Sequence, residues 1–95
     1  MRIRWTNPAR RALAAHVAYI AADDPDAAEQ VRNAIVAAVE RLTDQPHLGR
    51  IGRRAGTREL VIPSFPAYIV VYRVTETEIR MTRVWHGRQN WQREQ

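Results

Sequence analysis

The sequence predicts an α+β domain, in which a hairpin of two helices packs on one face of a small antiparallel β-sheet. Apolar residues recur at helical spacing through residues 9–42, whereas residues 58–86 are rich in β-branched and aromatic residues with turn residues between them. The 95 residues include no cysteine, so the chain has room for one domain, residues 1–95, held by packing rather than by disulfides. The predicted order of elements is β-α-α-β-β-β.

A first strand is predicted at residues 1–6, because two arginines alternate there with Ile3 and Trp5 in the period-2 pattern of a half-buried strand. Asn7 is the predicted cap of the first helix, and the proline after it suits a first helical turn. That helix is predicted from residue 9 to about residue 22, where an Asp-Asp-Pro sequence ends it.

The second helix has the clearer pattern. Asp24 is its predicted cap, two acidic residues lie near its positive N-terminal end, and Gln45-Pro46 marks its exit. Its apolar residues fall on a single stripe: Val31, Ile35, Ala38, Val39 and Leu42. Two such helices joined by a short connection are expected to form an antiparallel hairpin.

Residues 47–57 contain three of the four glycines and three arginines, so an irregular basic loop is predicted there. Three strands follow, at residues 58–62, 67–74 and 78–86. The middle one is apolar almost throughout, as expected for a central strand that is covered on one face. The opposite face of the sheet is expected to be partly open.

The positive charge is carried by one residue type, since all 15 basic residues are arginine, and the chain has a net charge of +5 and a pI near 11.0. Each cation is therefore a planar, permanently charged fork suited to phosphate or carboxylate. Residues 1–21 carry +4, residues 22–44 carry −4 and residues 45–95 carry +5. An acidic or polyanionic partner is expected for such a polarised molecule.

No apolar stretch approaches the roughly 20 residues of a membrane-spanning helix, and no apolar signal-peptide core follows the basic N-terminus. A cytoplasmic protein without a membrane partner is therefore expected. His16 and His47 lack metal-ligand spacing, and neither a metal nor a cofactor is predicted.

Short motifs run in order along almost the whole chain. They are Trp5-Thr6 to Ala9, Tyr19-Ile20, Asp24-Pro25, Ala27-Ala28, Leu42, Pro46, Gly49-Arg50, Arg58-Glu59-Leu60, Tyr68, Tyr72-Arg73, His86-Gly87-Arg88-Gln89 and Trp91. In these motifs and their spacing the chain resembles the RelE/ParE toxins of bacterial type II toxin–antitoxin modules. The long helical hairpin and its exit at Pro46 and Gly49-Arg50 are more similar to the ParE branch and its plasmid-stabilisation relatives.

The resemblance implies a growth-arresting toxin that is neutralised by a cognate antitoxin, whose acidic C-terminal segment wraps the toxin in a hetero-oligomer. The fold serves two unrelated activities, so the fold alone does not settle the target. ParE-like members are described as poisons of DNA gyrase, whereas RelE-like members are mRNA interferases that cut mRNA in the ribosomal A site.

The RNA-cleaving alternative needs a base, an acid and a fixed cation beside the scissile phosphate. His86 is a candidate acid or base and Glu59 a candidate base, and the candidate phosphate clamps are Arg58, Arg73, Arg83 and Arg88. The first three arginines come from three predicted strands, and we expect them to converge on the open face of the sheet. The lysines and the C-terminal tyrosine of RelE-like members are absent, and Trp91 stands near the place of that tyrosine.

Gyrase poisoning needs a complementary surface rather than a catalytic site, and it is the favoured interpretation, which makes the toxin non-enzymatic. The expected target-binding residues lie in the basic loop and the C-terminal tail: Arg50, Arg53, Arg54, Arg88 and Trp91. Structural roles are the alternative for two nuclease candidates, since Glu59 can pair with a neighbouring arginine and His86 can end a strand by bonding a backbone carbonyl.

Overall fold

The structure, a computed structural model, describes residues 1–87 and shows two helices packed on one side of a five-stranded sheet. The elements in chain order are β1 (Arg2–Trp5), α1 (Asn7–Ala21), α2 (Pro25–Glu40), a 3-10 turn (Arg41–Thr43), β2 (Arg50–Ile51), β3 (Arg58–Val61), β4 (Tyr68–Val74) and β5 (Glu78–His86). The predicted class and the β-α-α-β-β-β order are confirmed, with the two-residue β2 in addition. Within the described residues, no helix combines the length and the apolar character needed to cross a membrane.

The cap of α1 is Thr6 rather than Asn7, which corrects the sequence prediction. The Thr6 hydroxyl accepts a hydrogen bond from the Ala9 backbone N–H at 3.3 Å and donates one to the Met81 carbonyl at 2.8 Å. Thr6 therefore caps the helix and ties its first turn to β5 at the same time. Asn7 is the first helical residue, with the proline after it.

The second helix begins as predicted. The Asp24 carboxylate accepts a hydrogen bond from the Ala27 backbone N–H at 3.1 Å, so Asp24 is the N-cap of α2. The α-helix ends at Glu40, before the predicted exit at Gln45-Pro46, and the 3-10 turn continues the chain from there. A 3-10 turn commonly ends an α-helix. The spacing of apolar residues does not distinguish such a turn from a last turn of α-helix.

The core lies between the two helices and the facing side of the sheet. All five residues of the predicted apolar stripe are buried, four on α2 and Leu42 in the 3-10 turn, and Ile35 and Leu42 have no exposed surface. They share one cluster with Ile62, which follows β3, and with buried residues of the sheet: Leu60, Val70, Tyr72, Ile79, Met81 and Val84. Burial of these side chains provides most of the stability expected for a chain of this size.

The order of strands in the sheet is β1-β5-β4-β3-β2. β3 pairs antiparallel with β2 and β4, and β4 pairs antiparallel with β5, but β1 is parallel to β5. The sheet is therefore mixed, whereas the sequence predicted an antiparallel one. Period-2 patterning shows which side chains of a strand are buried, but it does not show the direction of the neighbouring strand.

The segment predicted as an irregular loop contains the short strand β2. Arg50 lies opposite Glu59 and Ile51 lies opposite Arg58, so β2 and β3 form a hairpin. Gly56, in the connecting loop, adopts a φ of +79°, in the left-handed region that favours glycine. Two residues are too few to show an alternating pattern, which is why the sequence does not reveal this strand.

Candidate functional site

Strand register divides the sheet into two faces. Side chains alternate along a strand and directly opposite residues share a face, so Leu60, Val70 and Val84 mark the face that the helices cover. The other side, which we call the arginine face, carries six arginines and two glutamates: Arg2, Arg4, Arg50, Arg73, Arg80, Arg83, Glu59 and Glu78. Four of these arginines expose between 37% and 80% of the side chain, so this face is partly open, as predicted.

Glu59 is a buried carboxylate on the arginine face, with only 2% of its surface exposed. One oxygen accepts hydrogen bonds from Nε and Nη2 of Arg50 at 3.1 and 2.9 Å, and the other accepts one from the backbone N–H of Arg53 at 3.0 Å. Both oxygens therefore hold the segment after β2 against the sheet. The structure shows the predicted pairing with a neighbouring arginine, and proton abstraction by Glu59 requires this pairing to break.

These contacts fix one end of the β2–β3 hairpin, residues 50–59. The Gly52 N–H donates a hydrogen bond to the Thr57 carbonyl at 2.8 Å, which closes the loop at its base. From β4, Nη1 of Arg73 donates to the Ala55 carbonyl at 3.3 Å. The loop is thus attached both to its own strands and to β4.

The β2–β3 hairpin presents an unusual combination of side chains on its surface. Ile51 is 80% exposed, although isoleucine is a residue that proteins usually bury. Arg53 and Arg54, both exposed, follow it in the loop. The anchored hairpin therefore presents one exposed apolar side chain and two exposed cations on the same short segment.

Glu78 anchors a second group of arginines. One carboxylate oxygen accepts hydrogen bonds from Nε of Arg4 and Nε of Arg80, both at 2.8 Å, and Nη2 of Arg2 lies 4.0 Å from the other oxygen. The bonds from Arg4 and Arg80 hold the pKa of Glu78 below its ordinary value of 4.5, against the opposing effect of burial. Sequence reasoning missed Glu78 and Arg80, because only the parallel pairing of β1 with β5 brings them beside Arg2 and Arg4.

His86 lies on the helix-covered face, away from Arg73 and Arg83. It is directly opposite Tyr68, and the two ring centroids are 5.0 Å apart in an edge-on contact. His16 of α1 packs edge-on against the same tyrosine, with a centroid separation of 5.4 Å. The predicted acid or base therefore belongs to an aromatic cluster between α1 and the sheet, and the proposed nuclease residues are divided between two faces.

Arg58 also lies on the helix-covered face, directly opposite Tyr72. Its Nη1 donates a hydrogen bond to the Gly49 carbonyl at 2.8 Å. The expected convergence of Arg58, Arg73 and Arg83 on the open face is therefore wrong, since only the last two share that face. Alternation along β3 assigns Arg58 to one face only when the register with β4 is known.

Tyr72 explains the motif formed by Pro46 and Gly49. Its buried hydroxyl donates a hydrogen bond to the Pro46 carbonyl at 2.8 Å and accepts one from the Gly49 N–H at 2.9 Å. A Cβ on Gly49 would lie 2.8 Å from the tyrosine hydroxyl and ring, so the close approach requires glycine. Burial raises the pKa of Tyr72, and the Gly49 hydrogen bond and the Arg58 charge oppose that rise. The motif is an anchor for the chain between α2 and β2.

A groove of about 270 Å³ lies between the end of α2 and the outer edge of β3. Its lining is mainly apolar, with two arginines and one glutamate: Ala38, Arg41, Leu48, Gly49, Arg50, Glu59, Leu60, Val61 and Pro63. β2 pairs only with the first two residues of β3, and no other strand within residues 1–87 pairs with that edge. The groove therefore runs beside an unpaired stretch of strand at Leu60 and Val61.

Three of the predicted target-binding residues, Arg50, Arg53 and Arg54, lie together in the β2–β3 hairpin. The other two, Arg88 and Trp91, lie outside the described residues. Arg88 is also a candidate phosphate clamp, and that prediction lies outside the described residues as well. Among residues 1–87, no group of three or more His, Asp or Glu side chains is placed to hold a metal ion.

A sequence profile described as the ParE toxin of the type II toxin–antitoxin system parDE matches residues 3–91. The chain belongs to the ParE toxin family. This ParE-family toxin is 46% identical to Y4kP of Sinorhizobium fredii over 90 residues, which cover 95% of this chain and 92% of that protein. It is 36% identical to Toxin RelE1 of Caulobacter vibrioides over 73 residues, 75% of this chain and 76% of the relative.

Two solved structures share the architecture of the ParE-family toxin. One is the chromosomal ParDE system from P. aeruginosa, with a TM-score of 0.82 at 25% identity over 90% of this chain and 95% of that chain. The other is the toxin–antitoxin complex RelBE2 from Mycobacterium tuberculosis, with a TM-score of 0.64 at the same identity and coverage. The family resemblance carried by the sequence motifs and the fold predicted from the residue pattern are thus confirmed.

Proposed function

We propose that this ParE-family toxin arrests growth in the cytoplasm by binding and poisoning DNA gyrase through the β2–β3 hairpin. The observation that carries the proposal is Ile51, which is 80% exposed on a hairpin that Glu59 holds in place. Protein interfaces derive most of their binding energy from a few anchors of this kind, with polar residues around them. A surface fixed before binding also loses little conformational entropy when the target docks.

The placement of the nuclease candidates supports a binding mechanism over a chemical one. An acid, a base and a phosphate clamp must all reach the same scissile phosphate. Here His86 lies on the opposite face of the sheet from Arg73 and Arg83, and both Glu59 oxygens accept internal hydrogen bonds. The 36% identity to Toxin RelE1 is the observation that favours mRNA cleavage as the second candidate function.

The proposed antitoxin is a protein with an acidic C-terminal segment that occupies the groove beside β3. Leu48, 41% exposed, is an apolar contact for such a segment, and Arg41 and Arg50 are suited to its carboxylates. The unpaired edge of β3 allows an extended segment to add a strand to the sheet. Both structural relatives belong to toxin–antitoxin systems, which supports a partner of this class.

Inhibition of purified DNA gyrase tests the hairpin directly, with supercoiling of relaxed plasmid as the readout. The double substitution Arg53→Ala/Arg54→Ala and the single substitution Ile51→Asp should each raise the toxin concentration needed for half-maximal inhibition by at least about tenfold. That factor is equivalent to a loss of about 1.4 kcal/mol of binding free energy. The matched control is Arg10→Ala/Arg11→Ala, which removes the same charge from an exposed part of α1 and should leave inhibition unchanged.

Two further measurements separate the proposals. Leu48→Asp should weaken antitoxin binding in calorimetry while gyrase inhibition persists, and Ile51→Asp should have the reverse effect. Addition of the toxin to ribosomes programmed with mRNA and an empty A site tests the second candidate. Codon-specific cuts in that mRNA, together with unaffected gyrase, would overturn the gyrase proposal in favour of RNA cleavage.

A further inference from the structure

Three arginines form a row across the sheet. Arg4 on β1 lies directly opposite Arg80 on β5, and Arg80 lies directly opposite Arg73 on β4. We call these three residues the arginine row. Neighbouring strands are about 4.8 Å apart, so the three positions lie within about 10 Å of each other. Like charges placed directly opposite each other destabilise a sheet, and the row therefore needs a compensating anion.

The chain supplies too few carboxylates for this row. Glu78 accepts one hydrogen bond from Arg4 and one from Arg80, and it also has Arg2 at 4.0 Å. Arg73 has no carboxylate partner within residues 1–87, and its described hydrogen bond goes to the Ala55 carbonyl. Three arginines thus share the single carboxylate of Glu78, and Arg73 has none among the described residues, so this part of the arginine face keeps an excess of positive charge.

Glu78 also determines how the guanidinium groups are presented. Both Arg4 and Arg80 reach it through Nε, and among residues 1–87 their terminal Nη nitrogens have no described partner. Arg4 exposes 47% and Arg80 37% of the side chain, so both side chains are partly accessible. Glu78 is thus a positioning residue that holds two planar donors side by side through their Nε atoms.

We propose that the arginine row binds the phosphodiester backbone of a nucleic acid without reading its bases. Guanidinium groups donate bidentate hydrogen bonds to phosphate, and backbone contacts of this kind carry no sequence information. The site goes beyond gyrase binding: none of the row residues lies in the β2–β3 hairpin, although Arg73 contacts it through the Ala55 carbonyl, and the test below measures nucleic-acid binding without gyrase. None of them lines the groove beside β3 either.

A nucleic acid fits this surface better than an acidic protein does. The row is flanked on the same face by Arg2 and Glu78, and Val71, the apolar residue beside Arg73 along β4, is only 8% exposed, so the accessible side chains there are charged. Interfaces between proteins lose charged residues at their centre and gain aromatic and apolar ones. Interfaces with nucleic acids are more polar and much more positively charged.

The test is fluorescence anisotropy with a labelled DNA duplex of about 20 base pairs and an RNA of matching sequence, between about 50 and 200 mM NaCl. Loss of two phosphate contacts in Arg73→Ala/Arg80→Ala should reduce the slope of log affinity against log salt by about 1.8 for duplex DNA. Arg10→Ala/Arg11→Ala removes the same net charge from α1 and should leave the slope unchanged. A preference for DNA or RNA supports the site and identifies the source of the phosphate.

Arg73→Ala alone guards against misfolding, because it leaves every contact of Glu78 intact, and it should reduce the slope by about 0.9. An equal reduction of the salt slope in Arg73→Ala/Arg80→Ala and in Arg10→Ala/Arg11→Ala would overturn the proposal, since net charge alone then explains binding. Absence of binding by the wild type at low salt would overturn it as well. Displacement of the DNA by poly-L-glutamate at equal charge concentration would assign the row to an acidic protein instead.

Discussion

The two faces of the sheet are made from alternating residues of the same strands, yet they differ in what their side chains require. On the helix-covered face, Val70, Tyr72 and Met81 have no exposed surface, and no buried side-chain nitrogen or oxygen among the described residues lacks a hydrogen-bond partner. The arginine face has six arginines and two glutamates. Stability explains the first face, whereas the second carries more positive charge than folding needs.

This difference changes the meaning of the sequence motifs. Tyr72, Gly49 and Pro46 are among the residues on which the family resemblance rests, and all three form one buried anchor. Residues that identify a family are therefore not automatically residues that act on a target. The residues that we propose to act on a target lie instead on the arginine face and the β2–β3 hairpin.

The largest predicted effect is on the helix-covered face. Ile35→Ala should lower the free energy of unfolding by about 2–5 kcal/mol, because it opens a cavity at a completely buried position. Gln30→Ala, on an exposed part of the same helix, should change it by less than about 0.5 kcal/mol. Urea unfolding followed by circular dichroism measures both. A loss from Arg80→Ala as large as that from Ile35→Ala would remove the distinction between the faces.

A smaller loss is expected at the Tyr72 anchor. Tyr72→Phe keeps the ring but leaves the Gly49 N–H and the Pro46 carbonyl without their described partner, at a cost of about 1–3 kcal/mol. Tyr19 offers a matched control, since it is 84% exposed and Tyr19→Phe should be nearly neutral. Urea unfolding of the two variants gives the comparison. Equal stabilities would show that water replaces the hydroxyl and that the anchor is dispensable.

A still smaller loss of stability is expected at the cap of α1, where substitutions of two neighbouring residues should have different effects. Thr6→Ala should lower the free energy of unfolding by about 1 kcal/mol, because Thr6 caps the helix and also bonds β5. Asn7→Ala should have almost no effect, since Asn7 makes no capping bond. The same urea series tests both variants. The reverse order of losses would restore Asn7 as the cap.

Local patterns predicted the elements well where neighbours did not matter. The Asp24 cap, the stripe on α2 and the bounds of β5 all follow from spacing and capping chemistry. The choice of Thr6 over Asn7 depends on a contact with Met81, which is distant in sequence. Both residue types cap helices well, so sequence alone does not separate them.

The candidate site was likewise predictable only where local patterns determine the position of a side chain. Arg83 and His86 are three residues apart on one strand, so alternation already assigns them to opposite faces, and this signal could have been used. By contrast, the position of Arg58 opposite Tyr72 and that of Glu78 beside Arg4 depend on strand register and direction. Those are long-range properties that no local pattern records.

The smallest predicted effect concerns Glu78 and depends on pH. Hydrogen bonds from Arg4 and Arg80 lower the pKa of Glu78 below its ordinary value of 4.5, so the folded state binds a proton there less readily than the unfolded state. The stabilisation is therefore complete above that ordinary value and is lost as the pH falls through the lower folded-state pKa. The free-energy difference between wild type and Glu78→Gln should be constant near neutral pH and should shrink in acid. Glu76→Gln in the adjacent exposed turn is the control. A free-energy difference for Glu78→Gln that does not change with pH would show that the two arginines do not hold the carboxylate. The arginine row would then have no positioning residue.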